Sequence, residues 1–467
     1  MKRYLLITAL FVAAVMGQSL ADNRGKAAVD GGIDNAMLQR LRESYDETPQ
    51  RKAVRNALAT TSIAVLAENA DNAAMCDTHF SNRVRTKGIT NQRSSGRCWL
   101  FTGLNVLRAE ALERHDLASF EFSPNYCSFY DLLEKSNLFL QLVIDTRNEA
   151  IDSRKVEWLL KNPIGDGGQF TGVSNLIMKY GVVPKGVMPE TYQSNNTRHM
   201  RTILSLSLRE SALRLREAKA ADCAALKELA LAEVYSILVK CLGNPPTDFE
   251  WTHYNKKGEK VSTKRYTPQS FYADYFGKDL EKGYVMLMND PTRPYNKVYR
   301  IDCDRHLYDG DDWLYVNLPI ERIKEVAIAS IKANKAMYFS CDVGKYINRT
   351  KGTLDIANFD YESLFEASFG MDKRQRISTF ASGSSHAMTL IAVDLDDAGK
   401  PRKWLVENSW GESNGYKGCL IMTDKWFDEY MFRLVAAKEF VGEDILKILE
   451  QKPTLLPAWD PMFADEE

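Results

Sequence analysis

The feature that most constrains the fold is a change of texture along the chain. From Lys335 onward, short apolar or alternating runs, AMYFSCDVG, HAMTLIAVDLD, KWLVENSW and GCLIMT, are bounded by Gly, Asp or Asn. Runs of that length between turn residues predict antiparallel strands. Ahead of them, Leu100, Leu104, Leu107 and Ala111 recur at helical spacing, which puts one helix face in a core. Arg201 to Leu242 is rich in Ala, Leu, Glu, Lys and Arg and stops at GNPP, so a long helical region with a solvated charged face is expected there. Helices early and strands late predict an α+β fold, with a helix-rich part packed on a sheet.

The 467 residues suffice for two or three domains' worth of core. Sixty-one basic against 62 acidic residues give no global pull toward nucleic acid or an anionic lipid surface. Lys2 and Arg3 precede the apolar run YLLITALFVAAVMG, and small residues follow at Ser19 and Ala21. This order of basic, apolar and small residues predicts a signal peptide over 1–21 and export to a periplasm or secreted space. No later stretch is long and apolar enough to predict a membrane-spanning helix. The eight cysteines, Cys76, Cys98, Cys127, Cys223, Cys241, Cys303, Cys341 and Cys419, form no CxxC pair and no regular framework. Neither a zinc site nor a dense set of disulfides is indicated, and no metal or organic cofactor is implied.

One cysteine stands apart. In NQRSSGRCW, Cys98 falls where the helix of Leu100 begins, and a helix N-terminus lowers a thiol pKa and offers a backbone N–H to an oxyanion. A thiol nucleophile needs a base, and six histidines are available: His79, His115, His199, His253, His306 and His386. His386, in SGSSHAMTLIAVD, leads directly into a predicted strand, which would hold an imidazole at a sheet edge. His306, in the polar segment CDRHLYDGDD, is the next candidate. An imidazole base also needs an orienting partner. Asn408 in VENSWG, 22 residues past His386, is within reach of a hairpin. Gln92, six residues before Cys98, supplies a side-chain amide as a second oxyanion donor.

In that order, NQRSSGRCW, SSHAM and VENSWG resemble the Gln, Cys, His, Asn set of papain-like cysteine peptidases. Gly96 and Trp99 fit the pattern around the cysteine, whereas Arg97 stands where a small residue is usual. His386 lies 288 residues after Cys98, roughly 150 more than that pattern spaces them. A domain-sized insertion is therefore expected. With SSGRCW, GDGGQ, YGVVPK and LPAWDPM, the chain is similar to the bleomycin hydrolase and aminopeptidase C family over nearly all of its length. The resemblance implies Cys98 as nucleophile, His386 as base then acid, Asn408 as its orienter, Gln92 as oxyanion donor and Trp410 as a shield over the His–Asn pair. Gly167 and Gly168 would lie along the bound substrate.

The same resemblance implies an aminopeptidase acting on peptides, assembled as a hexameric ring, with the C-terminal arm in the cleft. Relatives tend to finish in small apolar residues, whereas this chain ends Phe463, Ala464, Asp465, Glu466 and Glu467. A carboxylate there, Glu467 included, would pair with a substrate's free ammonium group. The expected layout is a signal peptide at 1–21 and an N-terminal arm or early helices at 22–75. The Cys-bearing part of the catalytic domain follows at 76–120. A helical insertion at 121–311 serves oligomerisation and includes the cleft segment 165–170. The sheet part with His386 and Asn408 spans 312–453, and the C-terminal arm 454–467. Two alternatives stay open: an endopeptidase with an open cleft, and a catalytically silent ring-forming binding protein.

Overall fold

The computed structural model describes residues 31–72, 77–460 and 462. The signal segment 1–21, Cys76 and Glu467 lie outside the described residues. Two compact units divide after Ala67.

In the first unit, helices span Asn35–Ser44, Pro49–Leu58 and Ile63–Leu66. Each opens on a side-chain cap, in which Asp34, Thr48 and Ser62 accept from the backbone N–H three residues on. Such caps are worth about 1 kcal/mol each and explain the starts. None of these helices buries a residue.

The second unit runs from Glu68. Its first long helix, α1 (Cys98–Arg114), is buried on nearly every side rather than on the single face that the leucine spacing suggests. It packs between α2 (Pro124–Asp145) and α3 (Phe170–Tyr180) on one side and sheet strands on the other. Trp99, Phe101, Val106 and Ala109 therefore join the leucines in the interior. The helical stretch expected from Arg201 to Leu242 is two helices, α4 (Arg198–Glu217) and α5 (Cys223–Leu242). Extended backbone at Ala218 (ψ 154°) breaks them. Both pack on α2.

The sheet contains β1 (Tyr284–Met288), β2 (Lys297–Ile301), β3 (Leu314–Asn317), β4 (Met337–Cys341), β5 (His386–Leu395), β6 (Pro401–Glu407), β7 (Cys419–Thr423), β8 (Met431–Ala437) and β9 (Thr454–Leu456). Their spatial order is β9-β2-β3-β1-β8-β4-β5-β6-β7. The central ladder β1-β8-β4-β5-β6-β7 is antiparallel throughout. Side chains alternate between two faces. Tyr338, Ala387 and Val435 share a core with Cys98 and α1, whereas Phe339, Met388 and Leu434 meet the opposite core. That second core lies under the helix Ile320–Lys332.

The observed layout differs from the one expected from sequence. β1 and β2 fall inside the expected insertion, yet β1 pairs with β8 through five residues, Tyr284 to Met288. The consecutive run of sheet strands thus reaches back to residue 284 rather than 312, and the short strand Asn82–Arg83 joins the same sheet beside β5. An antiparallel hairpin, Phe249–Tyr254 with Lys260–Tyr266, also interrupts the helices. Moreover α2 and α3 share one hydrophobic cluster with Cys98, so that region is continuous with the Cys-bearing core. Among the described residues no helix is long and apolar enough to cross a membrane.

Candidate active site

Cys98 is the first residue of α1, and the cap residue Arg97 makes no side-chain cap hydrogen bond. The first-turn N–H groups and the positive end of the helix dipole are thereby left to act on the thiol and on a substrate oxyanion. Cys98 is 0 % and His386 3 % exposed, so bulk water is excluded from this pair. Burial has the opposite meaning for Cys127, Cys303 and Cys419, whose thiols it pushes up to about 12. Those thiols stay protonated at neutral pH and are not nucleophiles. All seven described cysteines are free of disulfides.

α1 packs on β4 and β5, and His386 opens β5 opposite Cys341. Its Nε2 lies 2.9 Å from Asn408 Oδ1. The Ser409 backbone N–H donates to the same oxygen at 2.8 Å, which identifies that atom as the acceptor. Nε2 therefore carries the proton, and Nδ1 is the basic nitrogen. Asn408 is itself fixed by its backbone N–H, which donates to Gly418 O at 3.0 Å. Its Nδ2 is buried with no acceptor among the described residues, a polar cost of about 1–3 kcal/mol retained beside the imidazole. Trp410 covers the imidazole, with ring centroids 4.9 Å apart and an interplanar angle of 32°.

Gln92 joins the same cluster. Its backbone N–H donates to Ser409 O at 2.8 Å, and its Oε1 accepts from Ser409 Oγ at 2.6 Å. Its Nε2 donates to Ser95 O at 2.7 Å, leaving a second N–H for an oxyanion. With both ends of the amide engaged, the donor is held in one orientation before any substrate arrives, which is the preorganisation oxyanion stabilisation needs.

Two supporting carboxylates escaped the sequence reading. Arg97, the unusual residue before Cys98, is 2 % exposed and forms a bidentate pair with Glu190, at 3.3 and 2.8 Å. Its Nε donates to Ser95 Oγ at 3.0 Å, and Ser95 Oγ donates to Gln92 O at 2.6 Å. A hydrogen-bonded chain thus runs from Glu190 through Arg97, Ser95, Gln92 and Ser409 to Asn408 and His386. The signal in the sequence was the charge of Arg97 amid core residues, which demands a counter-ion.

Asp166, in GDGGQ, is the second. Its Oδ2 accepts from the Gly96 N–H at 2.8 Å and from Thr197 Oγ1, and its Oδ1 pairs with Arg201 at 2.9 Å. Its backbone carbonyl accepts from Trp99 Nε1 at 2.8 Å. A Cβ at position 96 would lie 2.6 Å from Asp166 Oδ1, which explains the glycine two residues before the cysteine.

His306, the second base candidate, belongs to the core instead. Its Nδ1 lies 2.6 Å from Asp131 Oδ1, and its ring meets Trp99 edge-on at 4.8 Å. Burial works against the Asp131 charge, yet Lys135 and His306 outweigh it and hold the carboxyl below its usual range. A Cβ on Gly168 would lie 2.3 Å from His306 Cε1 and 2.8 Å from Trp99 Cε2, so this ring pair requires the glycine. Gly167 and Gly168 are both buried, with Gly167 O accepting from Lys135 Nζ.

The chain matches the family described as Peptidase C1-like over residues 32–463. It is 37% identical over 449 residues to bleomycin hydrolase of Homo sapiens, covering 93% of this chain and 98% of that one. It is also 37% identical over 429 residues to aminopeptidase C of Listeria monocytogenes, covering 91% and 97%. The crystal structure of PepW from Lactobacillus rhamnosis superposes with a TM-score of 0.90 at 38% identity, covering 94% of this chain and all of that one. A buried cysteine that begins a helix packed on the strand of an Asn-oriented histidine, with matches spanning both chains, leads to one assignment: the chain belongs to the Peptidase C1-like family.

Proposed function

We propose that this chain is a cysteine aminopeptidase. The observation that carries the reading is the His386–Asn408 pair, its tautomer set, on a strand packed against the helix that Cys98 begins. His386 Nδ1 takes the Cys98 proton and the thiolate attacks the carbonyl of the first peptide bond. The Cys98 N–H and Gln92 Nε2 hold the oxyanion, and His386 returns the proton to the leaving amine. Water then hydrolyses the thioester, with His386 again the base. Gly167 and Gly168 line the substrate backbone in this reading.

The C-terminal arm makes the cleft one-ended. β9 pairs with β2, Arg293 binds Asp460, and Arg433 donates to Met462 O at 2.8 Å. Arg433 lies on β8, and β4 alone separates β8 from the strand of His386. In this reading the acids that follow Met462 in the sequence, Glu467 included, pair with the substrate's ammonium group. Names borne by the relatives, aminopeptidase C among them, point the same way.

Fluorogenic aminoacyl amides, their N-acetylated forms and longer blocked peptides separate the readings. Hydrolysis confined to free-amine substrates is expected. Internal cleavage of blocked peptides would make the enzyme an endopeptidase, and no turnover at all would favour the silent binding protein.

Assembly as a hexameric ring and export by the 1–21 segment complete the proposal. The exposed Ile203, Leu206, Leu213 and Leu229 of α4 and α5 support an assembly face. Light scattering is expected to give six chains, and the mature protein should begin near Asp22. A monomer or an uncleaved terminus would reject the respective reading.

A further inference from the structure

Trp410 has a second partner besides His386. The guanidinium of Arg349 lies 4.7 Å from the centroid of its ring. Arg349 is exposed and follows the short strand Ile347–Asn348. The turn that contains Trp410 is tied to Asn91 by a backbone bridge, and Arg93, two residues beyond Asn91, is exposed as well. Neither arginine is paired with a carboxylate among the described residues. Glu412, on the same turn, forms no ion pair with either.

The chemistry of the site says what lies there. Nε2 of His386 is committed to Asn408, so Nδ1 must protonate the departing amine. The residue attached to that amine therefore sits beside the imidazole, against the aromatic ring that covers it. A cation stacked on that ring is placed to meet negative charge one or two residues after the scissile bond. Arginine is suited to this, since its guanidinium stacks on an aromatic face and still presents N–H groups to a carboxylate.

We infer that Arg349 is a specificity-determining residue for the leaving-group side, favouring substrates whose released fragment carries a carboxylate. Two sources offer that group: the α-carboxylate of a dipeptide, and an acidic side chain next to the cleaved bond. The inference rests on the cysteine aminopeptidase reading, which supplies the direction of the leaving group.

The test compares kcat and KM for Leu-Ala with Leu-Ala-NH2, and for Leu-Asp-NH2 with Leu-Asn-NH2, in the wild type, Arg349→Gln and Arg349→Lys. An exposed ion pair predicts that the wild type prefers the charged member by about three- to fivefold in kcat/KM, expressed in KM. In Arg349→Gln the ratio falls toward one, and Arg349→Lys restores part of it. A preference confined to Leu-Ala assigns the α-carboxylate, and one confined to Leu-Asp-NH2 assigns the side chain. Equal rates within both pairs, or a preference that survives Arg349→Gln, overturn the inference. Loss of all Cys98-dependent turnover, of Leu-Ala-NH2 included, would instead reject the aminopeptidase reading beneath it.

Discussion

Cys98→Ala is expected to lower kcat by about 10⁵-fold or more, because the acyl-enzyme route is removed while binding and the oxyanion donors stay. The measurement is single-turnover hydrolysis of a free-amine aminoacyl amide by reduced protein. Stability should change little, by about 1 kcal/mol, since a small buried side chain is exchanged for a smaller one at a helix start. Activity surviving at more than a few per cent would mean that another group is the nucleophile. Three of the other thiols are poor replacements: Cys127, Cys303 and Cys419 are held protonated by burial.

The second large effect lies one residue earlier. Glu190→Ala should destabilise the fold by about 3–5 kcal/mol, because it strands the Arg97 guanidinium, 2 % exposed, without its counter-ion. Urea denaturation checks it. The double variant Arg97→Met with Glu190→Leu should recover much of that loss, since a buried ion pair replaced by apolar groups is often close to neutral. It should not recover activity to the same extent. Arg97 also donates to Ser95, which receives the Gln92 amide, so an apolar pair leaves the oxyanion donor less firmly held. If the double variant were as unstable as Glu190→Ala, the cost would lie in packing rather than in an unpaired charge.

Legibility in the sequence followed the range of the interaction. Cys98, Gln92, His386 and Asn408 each sit in a local motif whose residue types match a chemical task, and the structure brings His386, Asn408, Ser409 and Gln92 into one hydrogen-bonded cluster. Strands were readable because turn residues bound them. The helix of Leu100 was readable in position but not in depth. Spacing reports one apolar face, while layers on both sides of α1 are supplied by the following helix α2 and by α3, β4 and β5 from farther along the chain.

His306 shows the limit most clearly. In sequence it stands among Asp, Arg and Tyr and reads as an exposed loop. In the fold it is clamped between Asp131, Trp99, Gly168 and Gly172, residues more than a hundred positions away. Its pairing also shows why Gly168 must be glycine. Glu190 and Asp166 were illegible for the same reason, since nothing adjacent to either states that it will meet Arg97 or Gly96.

By itself the sequence determined the chemistry: a thiol at a helix start, an imidazole entering a strand, and two amides at spacings that permit a catalytic cluster, on an α+β scaffold. Only the tertiary structure decided which nitrogen of His386 is basic, which carboxylates hold the cysteine loop, and that Asn82–Arg83 and the strands from Tyr284 join the sheet of His386. The physical reason is that residue type carries reactivity locally, whereas orientation, counter-ions and burial arise from contacts that folding alone brings together.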